Sequence, residues 1–332
     1  MTALRGDRGA EDFRAATHDA LAVGDISMSI EAYARLAYAM GTTSDPSRAT
    51  EGIELVEALA ESAGGSARFA RALLHHNVGS VALARGDRAA ARAAFEKARS
   101  LAADVEGSGA IELTVILRGL LLITDDAELR EEIGDELVAT RTRLLGARHP
   151  ATLDGQVLAA EMHEDPTVVR QRLDPSCRAL ATYHPGMGHY IGECGYELAW
   201  LAMAAGDREA TRAAADLAIA AADHGADPDH VALARAYLQL ASGDVAGAVA
   251  ALAAVGRPIM DASPWWQRLV AADVSLGTAL ALASSRNASA ARTAISRATE
   301  LYAQIADAMP PPILARRSRV LDELAQRIKD WR

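Results

Sequence analysis

The stretch HHNVGSVALARGDRAAARAAFEKARSL, residues 75–101, decides the fold because it predicts two short helices joined by a tight turn. On both sides of Gly86-Asp87, apolar residues recur at the three- and four-residue spacing of an amphipathic helix. Glycine at a helix C-terminus adopts the left-handed conformation at little cost, and the aspartate that follows can cap the next helix. The stretch therefore predicts an antiparallel helical hairpin.

The same Gly-Asp pair recurs at Gly24-Asp25, Gly206-Asp207 and Gly243-Asp244, each time between two apolar helical stretches. Alternating β-strand patterns are nearly absent from the chain. Helical hairpins that repeat every few tens of residues are typical of solenoids. The predicted fold class is therefore all-α, an α-solenoid of antiparallel helix hairpins with a C-terminal capping helix.

We expect one array over residues 1–332. A closing helix at about 312–330 would cap it with a polar outer face, so the charges of the basic tail RRSRVLDELAQRIKDWR are interpreted as solvated. The predicted helix pairs before that cap cover about residues 9–62, with one pair at 9–42 and a helix at 46–62 joined to a partner, then 68–105, 109–146, 150–182, 186–223, 228–255 and 263–308.

Composition limits the classes of function. The net charge of −10 argues against a nucleic-acid binder, which usually presents a basic face. The apolar runs are too short to span a bilayer and the N-terminus lacks the apolar core of a signal peptide, so we expect a cytoplasmic protein without membrane contact. Cys177 and Cys194 are then expected to be free thiols.

The quoted hairpin resembles the tetratricopeptide repeat (TPR). Residues 77–79, NVG, match the NLG of its first helix, residues 86–87 match its turn, and Ala91, Phe95 and Ala98 match the small–aromatic–small positions of its second helix. The resemblance implies a right-handed superhelix in which the first helix of each hairpin lines a concave groove. It also implies that Phe95 fills the gap to the next repeat.

A second resemblance concerns the arrangement of the chain. Residues 144–153, LLGARHPATL, are similar to a junction of kinesin-light-chain-type repeats. Together with residues 192–218 they resemble the repeat region that follows the kinase domain in many large bacterial serine/threonine kinases. Because the catalytic motifs of a kinase are missing, this resemblance implies a regulatory module in a signalling system.

No constellation in the sequence predicts catalysis, a metal or a cofactor. Residues 186–195, GMGHYIGECG, lack the Lys-Ser/Thr of a phosphate-binding loop and are interpreted as a helix start with small residues where helices cross. His224 and His230 flank a turn that we interpret as a solvated acidic loop. Cys194 has His189 at a poor same-face spacing for a nucleophile and its base.

Binding is the better-supported prediction. The leading hypothesis is a non-catalytic scaffold that holds a protein or peptide in its groove; a kinase-linked regulatory module is the alternative, and a small-ligand sensor or helical enzyme is a third. For Trp200 and Tyr237, a place in the core between repeats is an equal alternative, and Trp265 and Trp266 form either a contact site or a seat for the terminal helix. The predicted partner-binding residues are His76, Asn77, Ser80, Tyr196, Trp200, Met203, Tyr237, Trp265 and Trp266.

Overall fold

A computed structural model describes residues 2–42, 49, 51–102, 109–255, 265–329 and 331. Within those ranges the chain forms sixteen α-helices, two short 3₁₀ turns and no β-strand, which confirms the all-α prediction. None of these helices is both long and apolar enough to cross a membrane. The helices are α1 Thr2–Ala22, α2 Ile26–Thr42, α3 Ile53–Ala63, α4 Arg68–Ala84, α5 Arg88–Ala102, α6 Gly109–Ile123, α7 Ala127–Leu145, α8 Pro150–Glu161, α9 Pro166–Tyr183, α10 Gly188–Ala204, α11 Arg208–Ala220, α12 Pro228–Ser242, α13 Val245–Ala254, α14 Trp265–Ser284, α15 Ala288–Ala303 and α16 Pro311–Lys329.

The helices pack against their neighbours along the chain. Successive helices contact each other in the pairs α1–α2, α4–α5, α8–α9, α10–α11, α12–α13 and α14–α15, close to six of the predicted ranges; the predicted pair at 109–146 is not among them. The first helices of consecutive pairs also form rows, α10 on α12 and α12 on α14. This is the packing of an all-α repeat. The predicted helix at 46–62 is α3 from Ile53 onward, while residues 46–48 and 50, like residues 263 and 264, lie outside the described ranges.

The contacts divide the chain into two compact units, Met1–Thr140 and Arg141–Arg332. The first unit contains α1 to α6, and α7 crosses the division. The second unit contains α8 to α16, with the row of first helices α10, α12 and α14. The candidate site described below lies wholly in the second unit.

The Gly-Asp turns have the predicted geometry. The four glycines have φ between 75° and 87°, the left-handed region that favours glycine. Each aspartate side chain accepts a hydrogen bond from a backbone N–H three residues on, at 2.9–3.1 Å, and so caps the following helix. One short sequence signal thus sets four of the helix-to-helix turns.

A fifth turn of this kind was not apparent from the sequence. Between α14 and α15, Arg286 has a φ of 57° and stands where the other turns have glycine. Asn287 replaces the aspartate, and its Oδ1 accepts a hydrogen bond from the Ala290 N–H at 3.2 Å. The backbone imposes this turn even though arginine is strained in the left-handed region.

Replacing Arg286 with glycine should therefore stabilise the protein. Removal of the side chain relieves a conformational strain of about 1–2 kcal/mol, part of which is offset by the greater freedom of glycine in the unfolded chain. We expect the free energy of unfolding in urea to rise by about 0.5–1 kcal/mol. Arg286→Ala is the control, because alanine keeps the Cβ atom that causes the strain and should give no gain.

Phe95 occupies the gap between repeats that its position in the TPR pattern implies. It lies on α5, is 1% exposed, and faces Gly79 of α4 and Gly119 of α6. A Cβ atom at Gly79 would lie 2.8 Å from the Phe95 ring, and one at Gly119 would lie 2.6 Å from it. Two glycines thus make room for one aromatic ring, which holds three consecutive helices together.

The cysteines differ from expectation. Cys177 on α9 and Cys194 on α10 are joined in a disulfide, with their Cα atoms 6.0 Å apart. Both residues are fully buried. The expectation of two free thiols is therefore wrong in this structure, because the packing of α9 on α10 brings together two residues that are 17 positions apart.

Candidate functional site

The glycines at the start of α10 lie on the face of that helix that packs closely against its neighbours in sequence, and the larger side chains lie on another face. A Cβ atom at Gly188 would lie 2.3 Å from the His224 carbonyl oxygen, and one at Gly195 would lie 2.9 Å from the Ala218 backbone nitrogen. The prediction of a helix start with small residues where helices cross is therefore confirmed. Since this glycine face packs against α11 and the turn after it, the larger side chains of α10 contact α12, α14 and α16 instead.

The first helices of the second unit form a surface of aromatic and acidic side chains. We call it the aromatic–acidic surface and define it by Tyr196, Glu197 and Trp200 of α10, Tyr237 of α12 and Asp273 of α14. The Tyr196 and Tyr237 rings stack with their centroids 6.3 Å apart, and the Tyr196 hydroxyl donates a hydrogen bond to Asp273. Side chains from the first helices of three consecutive hairpins therefore meet at one place.

The surface is covered by the C-terminal helix. Arg317 of α16 donates hydrogen bonds to Asp273 at 2.8 and 3.0 Å and to Glu197 at 2.8 Å, and its guanidinium lies 4.7 Å from the centre of the Trp200 ring. Arg316 donates to Glu197 at 3.2 Å and to the backbone carbonyls of Glu161 and His163 beyond it. Two adjacent arginines of one helix thus contact α8, α10 and α14.

The interpretation of the terminal helix as a purely solvated charged face is therefore wrong for two of its residues. Arg316 and Arg317 are each only 1% exposed. They lie on the stripe that also carries the buried Ile313, Leu321 and Leu324. The opposite face of α16 does present charged groups to solvent, among them Arg319, Asp322, Glu323, Arg327 and Lys329.

The electrostatics favour the ionised forms of Glu197 and Arg317, which face each other. Burial alone would raise the pKa of Glu197, but Arg317 and Arg316 outweigh it, so that the pKa of Glu197 lies below its usual value. Burial would likewise lower the pKa of Arg317, but Asp273 and Glu197 raise it well above its usual value. Both groups are therefore charged at neutral pH and stabilise each other.

The neighbouring groups stay protonated. Burial first, and Asp273 second, raise the pKa of Tyr196 and of Tyr302 well above the usual range, so both phenols donate hydrogen bonds to Asp273. Burial and the carboxylates of Glu193 and Glu197 raise the pKa of Glu161 well above its usual value. The surroundings of Glu161 thus favour its neutral form.

Some polar atoms of the surface remain without a partner in the described part of the chain. They are the indole N–H of Trp200 and the hydroxyl of Tyr237, both buried; the Nε atom of Arg316, on α16, is also buried without a partner. A buried polar group without a hydrogen bond costs about 1–3 kcal/mol. The contact between α16 and the surface therefore satisfies the carboxylates but leaves hydrogen-bonding capacity of the surface unused.

The predicted partner-binding residues of the second unit occupy different environments. Tyr196, Trp200 and Tyr237 are buried, and they form both the core between repeats and the surface that α16 covers. Met203, two turns after Tyr196 on α10, is half-buried. At the start of α14, Trp265 is buried and Trp266 is 42% exposed, with their rings in edge contact.

The predicted residues of the first unit lie inside α4. The Asn77 side-chain amide donates a hydrogen bond to the Ala34 carbonyl at 2.8 Å and so ties α4 to α2. His76 is buried with its ring centre 5.6 Å from that of Phe95, and the Ser80 hydroxyl bonds back to the His76 carbonyl. The structure does not bring these residues together with those of the second unit into one compact unit.

Comparisons with known proteins add no further assignment: no family model matches the chain, and no curated protein matches it. Among the residues that the structure describes, no group of three or more His, Cys, Asp or Glu side chains is placed to hold a metal ion. The arrangement of the second unit is instead suited to holding guanidinium groups, since paired carboxylates and an aromatic face are what arginine recognition requires.

Sequence reasoning missed Asp273, Tyr302 and the two arginines, although a signal was present. Arg317 stands four residues from both Ile313 and Leu321, at a place where the apolar period of α16 requires a buried residue. Asp273 likewise stands three residues before the buried Leu276 on α14. A charged residue on an apolar stripe predicts a buried partner of opposite charge.

His76 should make stability depend on pH. Burial first, and Arg118 second, lower its pKa from 6.5 to about 4. Because the pKa of His76 is lower in the folded state, the unfolded chain takes up the proton first as the pH falls. The full free energy of unfolding is therefore kept above pH 6.5, and it decreases as the pH is lowered toward 4. The loss should reach roughly 3 kcal/mol in the free energy of unfolding.

Urea unfolding measured at several pH values checks this expectation. His76→Phe keeps an aromatic ring against Phe95 and removes a buried Nδ1 atom that has no partner. We expect this variant to be no less stable than the natural chain at pH 7 and to have a flatter stability profile between pH 6.5 and 4. Identical profiles for the two proteins would contradict the assignment.

Proposed function

We propose that the protein is a non-catalytic scaffold of TPR-like hairpins that binds a protein partner at the aromatic–acidic surface of its second unit. One observation carries the proposal: this surface already holds two side chains of a helix that is not part of the hairpin row. A surface that binds a helix of its own chain has the shape and chemistry to bind one from another protein.

The arrangement of helices supports this proposal. The first helices α10, α12 and α14 lie side by side, as the inner wall of a right-handed TPR-like solenoid requires. The surface they form is rich in tyrosine, tryptophan and paired charges, the residue types that dominate binding energy at protein interfaces. Because it is built on packed helices, it is ordered before association, and little chain entropy is lost on docking.

Met203 offers the sharpest test of the proposal. Trp200 is unsuitable because it is 1% exposed, so its removal would change stability together with binding. Met203 lies seven residues after Tyr196 on the same face of α10 and is only half-buried. A photo-crosslinking amino acid at position 203 should capture a discrete protein in the native host, whereas the same group at the exposed Glu209 of α11 should not.

The captured protein must then bind directly when purified. We expect Met203→Arg to weaken its binding at least tenfold, measured by calorimetry, because a cation at the edge of the surface interferes with the approach of the partner. Glu209→Arg, with a cation on the neighbouring helix, should leave binding unchanged. Equal crosslinking from positions 203 and 209, or equal binding by the two arginine variants, would contradict the proposal.

A further inference from the structure

The contacts of α16 show which chemical group the aromatic–acidic surface recognises. Arg317 alone satisfies carboxylates from two helices, Asp273 on α14 and Glu197 on α10, with its plane against Trp200. This uses the planar fork of a guanidinium, which a lysine ammonium cannot reproduce. The geometry of these contacts therefore suits a guanidinium better than a point charge.

The second arginine extends the same recognition. Arg316 shares Glu197 with Arg317 and donates to two backbone carbonyls at the end of α8. Adjacent residues of a helix point about 100° apart, so an Arg-Arg pair can reach both sides of one carboxylate. Glu197 is thus bonded by both members of the pair, and the recognised unit is two adjacent arginines rather than one.

The helix that carries this pair has a recognisable pattern. Ile313, Leu321 and Leu324 are buried on the same side of α16 as the arginines, where α16 packs on α14 and α15. The opposite side is charged and exposed. An amphipathic helix with Arg-Arg in its apolar stripe is therefore the ligand that this surface fits.

Stability alone does not account for four buried charged groups at this place. Well-packed apolar residues often stabilise a protein as much as a buried ion-pair network or more, and in some proteins such networks serve specificity instead. The unpartnered N–H of Trp200 and hydroxyl of Tyr237 also show that α16 leaves hydrogen-bonding groups of the surface unused. Buried ion pairs and unpartnered polar groups both suit a recognition site from which α16 can be displaced.

We propose that α16 is a built-in competitor, and that the partner binds by an amphipathic helix with two adjacent arginines, which displaces α16 from the aromatic–acidic surface. This inference rests on the proposed function and names the chemistry of its partner. Because α16 is tethered, its effective concentration is of millimolar order, and a free helix binds weakly until α16 is released. Competition from α16 thus lowers the apparent affinity of the surface for the partner.

A peptide of residues 311–329 in trans tests the exchange, with the full chain as the receptor. Arg316→Ala/Arg317→Ala in the receptor removes the side chains that hold its own α16, while Arg319→Ala removes an exposed arginine of the same helix. By fluorescence anisotropy we expect the labelled peptide to bind the double variant at least tenfold more tightly than the natural chain or Arg319→Ala. A peptide with lysine at both positions should bind at least tenfold more weakly.

The carboxylates supply the matching control on the receptor. Adding Glu197→Gln and Asp273→Asn to the double variant should abolish the gain in peptide binding, since neutral amides cannot pair with two guanidiniums. Absence of peptide binding by a double variant that keeps its helical circular dichroism and cooperative melting would overturn the inference. Equal binding of the arginine and lysine peptides would also overturn it.

Hydrogen exchange on the unaltered chain gives a measurement that does not depend on the variants. We expect the amides of α16 to exchange at least tenfold faster than those of α14, and faster still with saturating peptide, because displacement opens α16 alone. Equal exchange in the two helices, unaffected by peptide, would contradict a replaceable α16. A dimer that exchanges α16 between two copies of the chain, seen by light scattering, would contradict a foreign partner.

These outcomes are separable from a failure of the proposed function. If crosslinks from position 203 identify a partner while the peptide does not bind, scaffolding stands and the arginine-pair chemistry is overturned. If the peptide binds while position 203 captures nothing, the surface recognises α16 only, and both the foreign partner and the proposed function are overturned.

Discussion

Replacing Arg317 with alanine should lower the free energy of unfolding by roughly 3–5 kcal/mol, the usual cost of removing one member of a buried ion pair. Asp273 then remains buried without a cation while Glu197 keeps only Arg316, or both carboxylates regain water through release of α16. Release gives up the apolar contacts of Ile313, Leu321 and Leu324, so both routes are costly.

Urea unfolding at neutral pH measures this loss. Arg319→Ala is the matched control on the same helix, since an exposed side chain should contribute no more than about 0.5 kcal/mol. Arg317→Lys should remain well below the natural chain, because a single ammonium cannot bond bidentately to Asp273 while reaching Glu197. A loss for Arg317→Ala within about 1 kcal/mol of that for Arg319→Ala would show that the buried network is not what holds α16 in place.

Phe95→Ala should have a comparable effect in the first unit, with a loss of about 3–5 kcal/mol. The ring is buried against Gly79 and Gly119, and its removal leaves a cavity at the junction of α4, α5 and α6. The exposed Glu96, next to it on α5, provides the control: Glu96→Ala should change the free energy of unfolding by about 0.5 kcal/mol or less.

A double-mutant cycle separates this packing from a general loss of hydrophobicity. Gly119→Ala alone places a methyl group against the Phe95 ring and should destabilise by about 1–3 kcal/mol. In the Phe95→Ala background the same methyl group occupies the vacated space, so its cost should disappear. Additive losses in the double variant would mean that the ring does not fill the gap between these glycines.

The features that could be predicted from the sequence are those that depend on residues a few positions apart along the chain. The Gly-Asp turns were predictable because both parts act within a few residues: glycine adopts the left-handed conformation, and aspartate caps the helix that follows. The turn at Arg286-Asn287 has the same form with arginine in place of glycine, so the local signal for it was incomplete.

The candidate site was predictable only in part. Tyr196, Trp200 and Tyr237 could be assigned to one surface because helical spacing places them on the first helices of consecutive hairpins. Nothing in the spacing indicated that Arg316 and Arg317 reach that surface, since 119 and 120 residues of chain separate them from Glu197. Long-range pairing of this kind leaves only an indirect trace, a charge placed on an apolar stripe.

The sequence by itself thus determined the helices, the Gly-Asp turns, most of the hairpin pairs and the place of Phe95, because these depend on neighbours close along the chain. Only the tertiary structure decided that the C-terminal helix covers the aromatic–acidic surface, and that Cys177 meets Cys194. The physical reason is that burial of charge is decided by partners in space: a guanidinium is excluded from a core unless folding brings carboxylates to it.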